Sequence, residues 1–414
     1  MSSSLVLAGA RTPIGKLGGA LAGYKAHELG GRAIAAALQR AGLRPESVDR
    51  VFMGQVLQAG AGQNPARQAA VAAGIPFTVP AVTINKVCLS SLYAVHLADL
   101  AVRSGEAQVV VAGGMESMTN APYLLAKARQ GYGYGRADLL DSIEVDGLLC
   151  AFDELLMGSA TDKHAEQAGI SRDRQDELAS LSHQRAATAT SEGLLGAEIV
   201  PLVQRGARQR PGTGGAPAPG EGRTGDQTSA QAELSEDEGI RPSTTVEVLA
   251  KLRPAFSQAG TITAGNASQI SDGAAAVVVV APAVAERAGV EPLAELVGYG
   301  EVAGPDLSLL TKPSQAVLVA LERANLRLVD IDLFEINEAF AAVLAASSKE
   351  LGIPDEVVNV NGGAVALGHP IGMSGARLLL TLAYELRRRG GGLGAAALCG
   401  GGGQGDAALV RVAT

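Results

Sequence analysis

Three residues in this 414-residue chain carry side chains able to act as nucleophile, base and proton carrier: Cys88, His369 and Cys399. Cys88 lies in Thr83-Ile84-Asn85-Lys86-Val87-Cys88-Leu89-Ser90-Ser91-Leu92, where an apolar strand gives way to a helix. The free N–H groups and partial positive charge of a helix start favour thiolate over thiol, which makes Cys88 a candidate nucleophile. The competing reading is an inert buried thiol, the commoner fate of a lone Cys beside an apolar helix. His369 lies in a run of small residues, 359–372, with Pro370 stiffening the chain behind it. A His is the usual base for activating a Cys. It could equally be a histidine satisfied by backbone carbonyls in a Gly-rich turn.

Cys399 follows an apolar strand, 394–398, and precedes four glycines, Gly400-Gly401-Gly402-Gly403. A thiol there could exchange a proton with a substrate carbon, and the glycine N–H groups could form an oxyanion hole. A phosphate-cradling loop is the rival reading. The Lys-Ser/Thr of a P-loop is missing, as are the helix and acidic partner of a dinucleotide fingerprint, so nucleotide hydrolysis and NAD binding are set aside. Asn337, in Glu335-Ile336-Asn337-Glu338, closes a strand and could fix a water. His/Cys metal spacings and paired glycosidase carboxylates are not found, so no metal is expected. Cys150 reads as a core thiol, and His27, His96, His164 and His183 as solvated or packing residues on helices.

For residues this far apart to meet, the fold must bring remote turns together, and an internal repeat supplies the means. Shifted by 283 residues, 33–49 overlays 316–332, with identities at Ala33/Ala316, Ala37/Ala320, Leu38/Leu321, Arg40/Arg323, Ala41/Ala324, Leu43/Leu326, Arg44/Arg327 and Asp49/Asp332. Both copies read as an amphipathic helix, a turn and an acidic strand entry. The same shift carries Cys88 to Ile371, two positions from His369. From each point an apolar helix is expected, over 89–103 and 375–389. Each then runs into a small-residue strand, 108–112 before Gly113-Gly114 and 393–398 before Cys399. Buried strands alternating with helices imply α/β layers. Two halves related by a pseudo-twofold axis would set these turns face to face.

The expected organisation is an N-terminal half, 1–119, completed by 271–291; an inserted loop domain, 120–270; and a C-terminal half, 292–414. The insert carries one clear helix, 171–192, capped by Ser171. It also carries a Gly/Pro-rich stretch, 206–235, that reads as a flexible surface loop. Tyr132-Gly133-Tyr134-Gly135 reads as an exposed contact arm.

Composition narrows the classes. Lys+Arg 34 against Asp+Glu 42 gives a net charge of -8, unlike a nucleic-acid binder. The 53 glycines follow no collagen period, and three cysteines suit a reducing compartment rather than a disulfide framework. Apolar runs such as 274–283 fall short of the roughly 18 residues of a membrane span. With no signal-peptide pattern at the start, a cytoplasmic protein is expected.

The motifs also resemble a known family, the thiolases. They are Gln63-Asn64-Pro65-Ala66-Arg67-Gln68, Asn85-Lys86-Val87-Cys88, Gly113-Gly114-Met115-Glu116-Ser117-Met118, Asn337-Glu338-Ala339-Phe340, Asn361-Gly362-Gly363 through Gly368-His369-Pro370, and Cys399-Gly400-Gly401-Gly402-Gly403-Gln404-Gly405. They run in order along nearly the whole chain, failing only in 206–235. The resemblance is nearest to the branch that forms acetoacetyl-CoA. It implies a five-layer αβαβα fold of two duplicated halves, dimers or tetramers, and no cofactor beyond coenzyme A as substrate and product. It implies reversible Claisen condensation of two acetyl-CoA molecules. Cys88 would take the acetyl group after His369 draws off its proton, and Cys399 would deprotonate the second acetyl-CoA. One oxyanion hole would come from His369 and a water on Asn337, the other from the backbone N–H groups of Cys88 and Gly401. Coenzyme A contacts would be Leu148, Met157, Phe256, Ala264, Ser268, Ala339 and Phe340. Leu156 stands where many members carry His, and Leu89 and Ser91 where glycines are common. A degradative 3-ketoacyl-CoA thiolase for longer chains is the neighbouring alternative. A decarboxylating ketoacyl synthase would need a second active-site histidine, and an inactive scaffold would not need all these reactive types.

Overall fold

The structure, a computed structural model, describes residues 4–206 and 232–413. The N-terminal half contains strands β1 (Ser4–Arg11), β2 (Arg50–Gly54), β3 (Ala81–Ile84), β4 (Val109–Ser117) and β5 (Ser271–Val280). Its helices are α1 (Ala26–Arg40), α2 (Pro65–Ala72) and α3 (Ser90–Arg103). The connecting region carries α4 (Met157–Gln167) and α5 (Arg172–Ser191). The C-terminal half contains β6 (Ala294–Ala303), α6 (Lys312–Ala324), β7 (Leu333–Ile336), α7 (Ala341–Leu351), α8 (Ser374–Arg388), β8 (Gly392–Gly400) and β9 (Gln404–Val412).

The strands run in the order β7-β8-β9-β6-β1-β5-β4-β2-β3. Among the described residues, the two half-sheets join where Ser4, Leu5 and Val6 of β1 face Leu296, Glu295 and Ala294 of β6. Each half-sheet is covered on both faces, which is why stretches such as 274–280, 109–112 and 395–398 are continuous apolar runs rather than alternating ones. Along β5, Ala274, Ala276, Val278 and Val280 pack under α1 and α2, whereas Val277 and Val279 point into a middle layer. That middle layer is α3 and α8, whose Leu92, Val95, Leu378 and Leu382 share one core with Leu398 and Val410 of the other half-sheet. The outer face of the C-terminal half-sheet packs on α6 and α7. Helices, sheet, helices, sheet, helices: the molecule has five layers.

The repeat is structural. Asp49 Oδ2 accepts the N–H groups of Gln108 and Val109, and Asp332 Oδ2 accepts that of Leu393, so each acid ties the start of one strand to the next strand of its half. The helices expected from Cys88 and His369 onward form as α3 and α8. Their first turns touch: Gly375 leaves room for Leu92, and the Ala376 N–H donates to Ser91 Oγ at 3.0 Å.

Three local expectations change. First, β4 does not stop at Gly113-Gly114 but continues to Ser117. The glycines are there because a Cβ would lie 2.1 Å from the Ala275 carbonyl oxygen at Gly113 and 1.9 Å from that of Gly372 at Gly114. Second, Cys399 lies inside β8, opposite Gly405, rather than after the strand. Third, the connecting region contains α4 as well as the expected helix, α5, where Ser171 Oγ accepts the Arg174 N–H. Of the stretch read as a flexible loop, 207–231 lies outside the described residues. At its flanks Leu202–Val203 pairs with Glu233–Leu234.

Candidate active site

Cys88 sits on the turn between β3 and α3. Directly before it, Val87 has φ 51°, a left-handed conformation that costs a β-branched residue about 1–3 kcal/mol unless its surroundings impose it. Here they do. Asn85 Oδ1 accepts the Val87 N–H at 3.0 Å, while Ser90 Oγ accepts the Lys86 N–H at 2.9 Å and donates to the Val87 carbonyl. The turn thereby aims the Cys88 sulfur at its own N–H and at the N–H of Gly401.

The state of this thiol differs from the sequence expectation. Cys88 keeps some surface open, but burial, with a smaller push from the Glu116 carboxylate, drives its pKa up to about 12 against the pull of the two N–H donors. The helix start does not win, because desolvation of a thiolate outweighs it. Cys399 is fully buried and pushed well above the usual thiol range, first by burial and then by the neighbouring Cys88. Both thiols are protonated at neutral pH.

His369 is buried, and its N–H donates to the Gln269 carbonyl at 3.1 Å. Its Nδ1 lies 2.5 Å from Ser374 Oγ, which itself donates to the Pro370 carbonyl at 2.9 Å. On the other side of the ring, Nε2 lies 3.4 Å from Asn337 Nδ2. Burial, assisted by the Arg377 guanidinium, pushes the imidazole pKa down to about 3, so the ring is neutral and able to accept a proton. Asn337 follows β7 directly and extends its ladder by donating its N–H to the Ala397 carbonyl. Its Oδ1 is buried and has no partner among the described residues.

Glu116 was passed over in the sequence reading. It is wholly buried, and its carboxylate accepts the N–H groups of Val56, Leu57 and Gly372 at 2.9 to 3.1 Å. It therefore clamps the loop after β2 to the turn that carries His369. An acid inside an otherwise apolar strand was the available signal.

A cleft of about 670 Å³ opens beside these groups, and His369 lines it. Six of the seven residues expected to touch coenzyme A line it too: Leu148, Met157, Phe256, Ala264, Ser268 and Phe340. Ala339 does not; it lies behind Ser268, whose N–H its carbonyl accepts at 3.1 Å. Cys88 packs against a cluster that includes Met118 and Ile371 of the cleft wall, and Cys399 shares a cluster with Met157 and Phe340. Phe256 meets Phe340 edge-on at 6.2 Å and covers Gly158, where a Cβ would stand 2.2 Å from its ring. Lys16 and Arg241, which the sequence did not single out, add positive charge to the exposed part of the lining. Leu156 makes its own part of the wall apolar. Among the described residues no group of three His, Cys, Asp or Glu side chains is placed to hold a metal, and no helix is long and apolar enough to cross a membrane. The site is a mostly apolar cleft whose wall carries the neutral imidazole; the two thiols do not line it but pack in clusters with residues of its wall. That combination suits acyl transfer between thiols.

Two family models, the thiolase N-terminal domain and the thiolase C-terminal domain, match residues 4–283 and 290–412. The chain belongs to the thiolase family. Within it, the chain is 52% identical to a probable acetyl-CoA acetyltransferase of Mycolicibacterium smegmatis, across 98% of this chain and 100% of that one. It is 46% identical to the acetyl-CoA acetyltransferase of Escherichia coli strain K12, across 99% of each. The crystal structure of the Bacillus anthracis acetyl-CoA acetyltransferase superposes with a TM-score of 0.91 at 38% identity, covering 99% of each chain.

Proposed function

We propose that the protein is an acetyl-CoA C-acetyltransferase, condensing two acetyl-CoA molecules to acetoacetyl-CoA and coenzyme A through an acetyl group carried on Cys88. His369 Nε2 takes the Cys88 proton as the sulfur attacks the acetyl carbonyl, whose oxygen develops charge toward the Cys88 and Gly401 N–H groups. The C–S bond to coenzyme A breaks, and its sulfur takes the Cys399 proton. As a thioester the Cys88 sulfur can no longer carry the charge that adds to burial in keeping Cys399 protonated, and the Cys399 thiolate forms beside the His369 imidazolium. The thiolate removes a methyl proton from a second acetyl-CoA, and the enolate oxygen is held by His369 and a water on Asn337. The new C–C bond forms at the acetyl carbon as the bond to Cys88 breaks, and His369 returns its proton to that sulfur.

The observation that carries this reading is the Gly401 N–H, two residues past Cys399, reaching the sulfur of Cys88 from the other half of the molecule. Leu148, Met157, Phe256, Ala264, Ser268 and Phe340 hold the coenzyme A arm, with Ala339 supporting Ser268. The cations Lys16 and Arg241 suit its phosphates. No other cofactor takes part. The working unit is a homodimer or homotetramer in the cytoplasm, and the exposed Tyr132 and Tyr134 serve as a contact arm. Residues 1–119 with 271–291 and residues 292–414 act as the two catalytic halves, and 120–270 supplies most of the cleft. The test is acetyl-CoA condensation by the purified protein, set against thiolysis of 3-ketoacyl-CoAs from C4 to C10. Turnover confined to the long chains would replace this reading with the degradative one.

A further inference from the structure

We infer that Lys86 is a positioning residue for the condensation step, setting the gap between the Cys88 turn and the Cys399 hairpin; the inference rests on the function proposed above. Lys86 stands two residues before Cys88, and its Nζ lies 2.8 and 3.1 Å from the two carboxylate oxygens of Asp406. Asp406 is fully buried on β9, where it faces Leu398, the residue before Cys399. One ion pair therefore links the loop of the first thiol to the hairpin of the second across the boundary between the halves. The ammonium is fixed from two further sides. Glu301 Oε2 of β6, the residue facing Asp406 across the sheet, lies 2.9 Å away, and the Tyr93 ring on the first turn of α3 lies 4.5 Å away.

Besides the ion pair and the Gly401 N–H on the Cys88 sulfur, the two segments meet through apolar contacts. Leu89 packs on Gly400, and Val87 approaches Gly401, where a Cβ would stand 3.4 Å from Val87 Cγ1. Such contacts fill space but set no direction, because apolar attraction is not directional. The ion pair is directional: it aligns the left-handed Val87 turn against the hairpin. Acetylation asks for Cys88, His369 and N–H donors, and of Cys399 only a proton that the departing sulfur can equally draw from solvent. Condensation also asks that Cys399 reach a methyl group placed against the acetyl carbon, so it is the more sensitive step to the gap between thiols.

The test compares wild type, Lys86→Met and Lys86→Arg in two readouts: the rate of Cys88 acetylation by quenched-flow mass spectrometry, and kcat and KM for acetoacetyl-CoA formation. A misplacement of about 1 Å can cost about 10²-fold in rate, so Lys86→Met is expected to lose about 10- to 100-fold in condensation kcat. Acetylation should fall far less, KM should stay near wild type, and Lys86→Arg should recover part of the loss. Condensation by Lys86→Met within twofold of wild type, or equal falls in both steps, would overturn the inference. If Lys86→Met does not fold, Asp406→Asn weakens the same link from the other side and is read for the same ratio. A wild-type protein that never acetylates Cys88 would overturn the proposed function itself, a result the wild-type control alone reveals.

Discussion

The hydroxyl of Ser374 holds the imidazole of His369 in one tautomer. Its oxygen lies 2.5 Å from Nδ1, and its own hydrogen is committed to the Pro370 carbonyl at 2.9 Å. With its hydrogen on that carbonyl it accepts from Nδ1–H, which leaves Nε2 unprotonated and within 3.4 Å of the Asn337 amide nitrogen. The pattern parallels the carboxylate behind a catalytic histidine in hydrolases, with a neutral hydroxyl supplying orientation in place of charge. Ser374→Ala should slow acetylation of Cys88 on the order of 10- to 100-fold with the fold intact. Acetylation kinetics, with ¹⁵N chemical shifts of the imidazole, would check it; an unchanged tautomer with an unchanged rate would remove Ser374 from the account.

Asn337→Ala removes the group that faces Nε2 and would hold the water of the enolate site. Loss of one oxyanion donor costs about 10²- to 10³-fold in kcat, and that is the fall expected in condensation. The amount of acetyl-enzyme formed in a single mixing should be unchanged. A variant that fails to acetylate would place Asn337 in the first step instead.

The neutral thiol of Cys88 has a pH signature. Burial lifts its pKa to about 12, and the His369 pKa of about 3 leaves no imidazolium at neutral pH to stabilise a thiolate. Alkylation by iodoacetamide follows the thiolate fraction, so its rate at Cys88 should rise about tenfold per pH unit from pH 7 to at least pH 9. Prior acetyl-CoA should protect the site. A rate already level by pH 7 would mean a preformed thiolate–imidazolium pair, and preferential labelling of Cys150 would contradict the assignment.

Gly114 lies where β4 passes the His369 turn, and a Cβ there would stand 1.9 Å from the Gly372 carbonyl oxygen and 2.8 Å from Ser91 Cβ. Neither neighbour is a flexible side-chain end. Gly114→Ala should destabilise the protein by about 3 kcal/mol, read as a shift in the denaturant midpoint, and should lower activity with it. A midpoint unchanged from wild type would show that the turn shifts freely.

Much of this architecture was legible because it is local or repeated. Asp49 and Asp332 do the same work at equivalent places, so the repeat was visible as identities, and α3 and α8 begin within a residue of their expected starts. The six ordered motifs carried the family and, through it, the cleft residues; spacing alone gave none of those. What was not legible depends on tertiary surroundings. Helix α4 lacks a strong apolar stripe, and its Gly158 answers to a ring, Phe256, that is almost a hundred residues away. Strand β4 looked finished at Gly113-Gly114 because only the neighbouring backbones reveal why glycines are needed there. The Cys88 thiol was read from its helix start, whereas the packing around it decides its charge.

The most direct test mixes the Cys399→Ala protein with acetyl-CoA, quenches in acid and maps the label by peptide mass spectrometry. An acetyl group that accumulates on Cys88, together with released coenzyme A and no acetoacetyl-CoA, is the predicted result. Acetyl on Cys150, or loss of acetylation and condensation to the same extent, would contradict a division of labour between the two thiols.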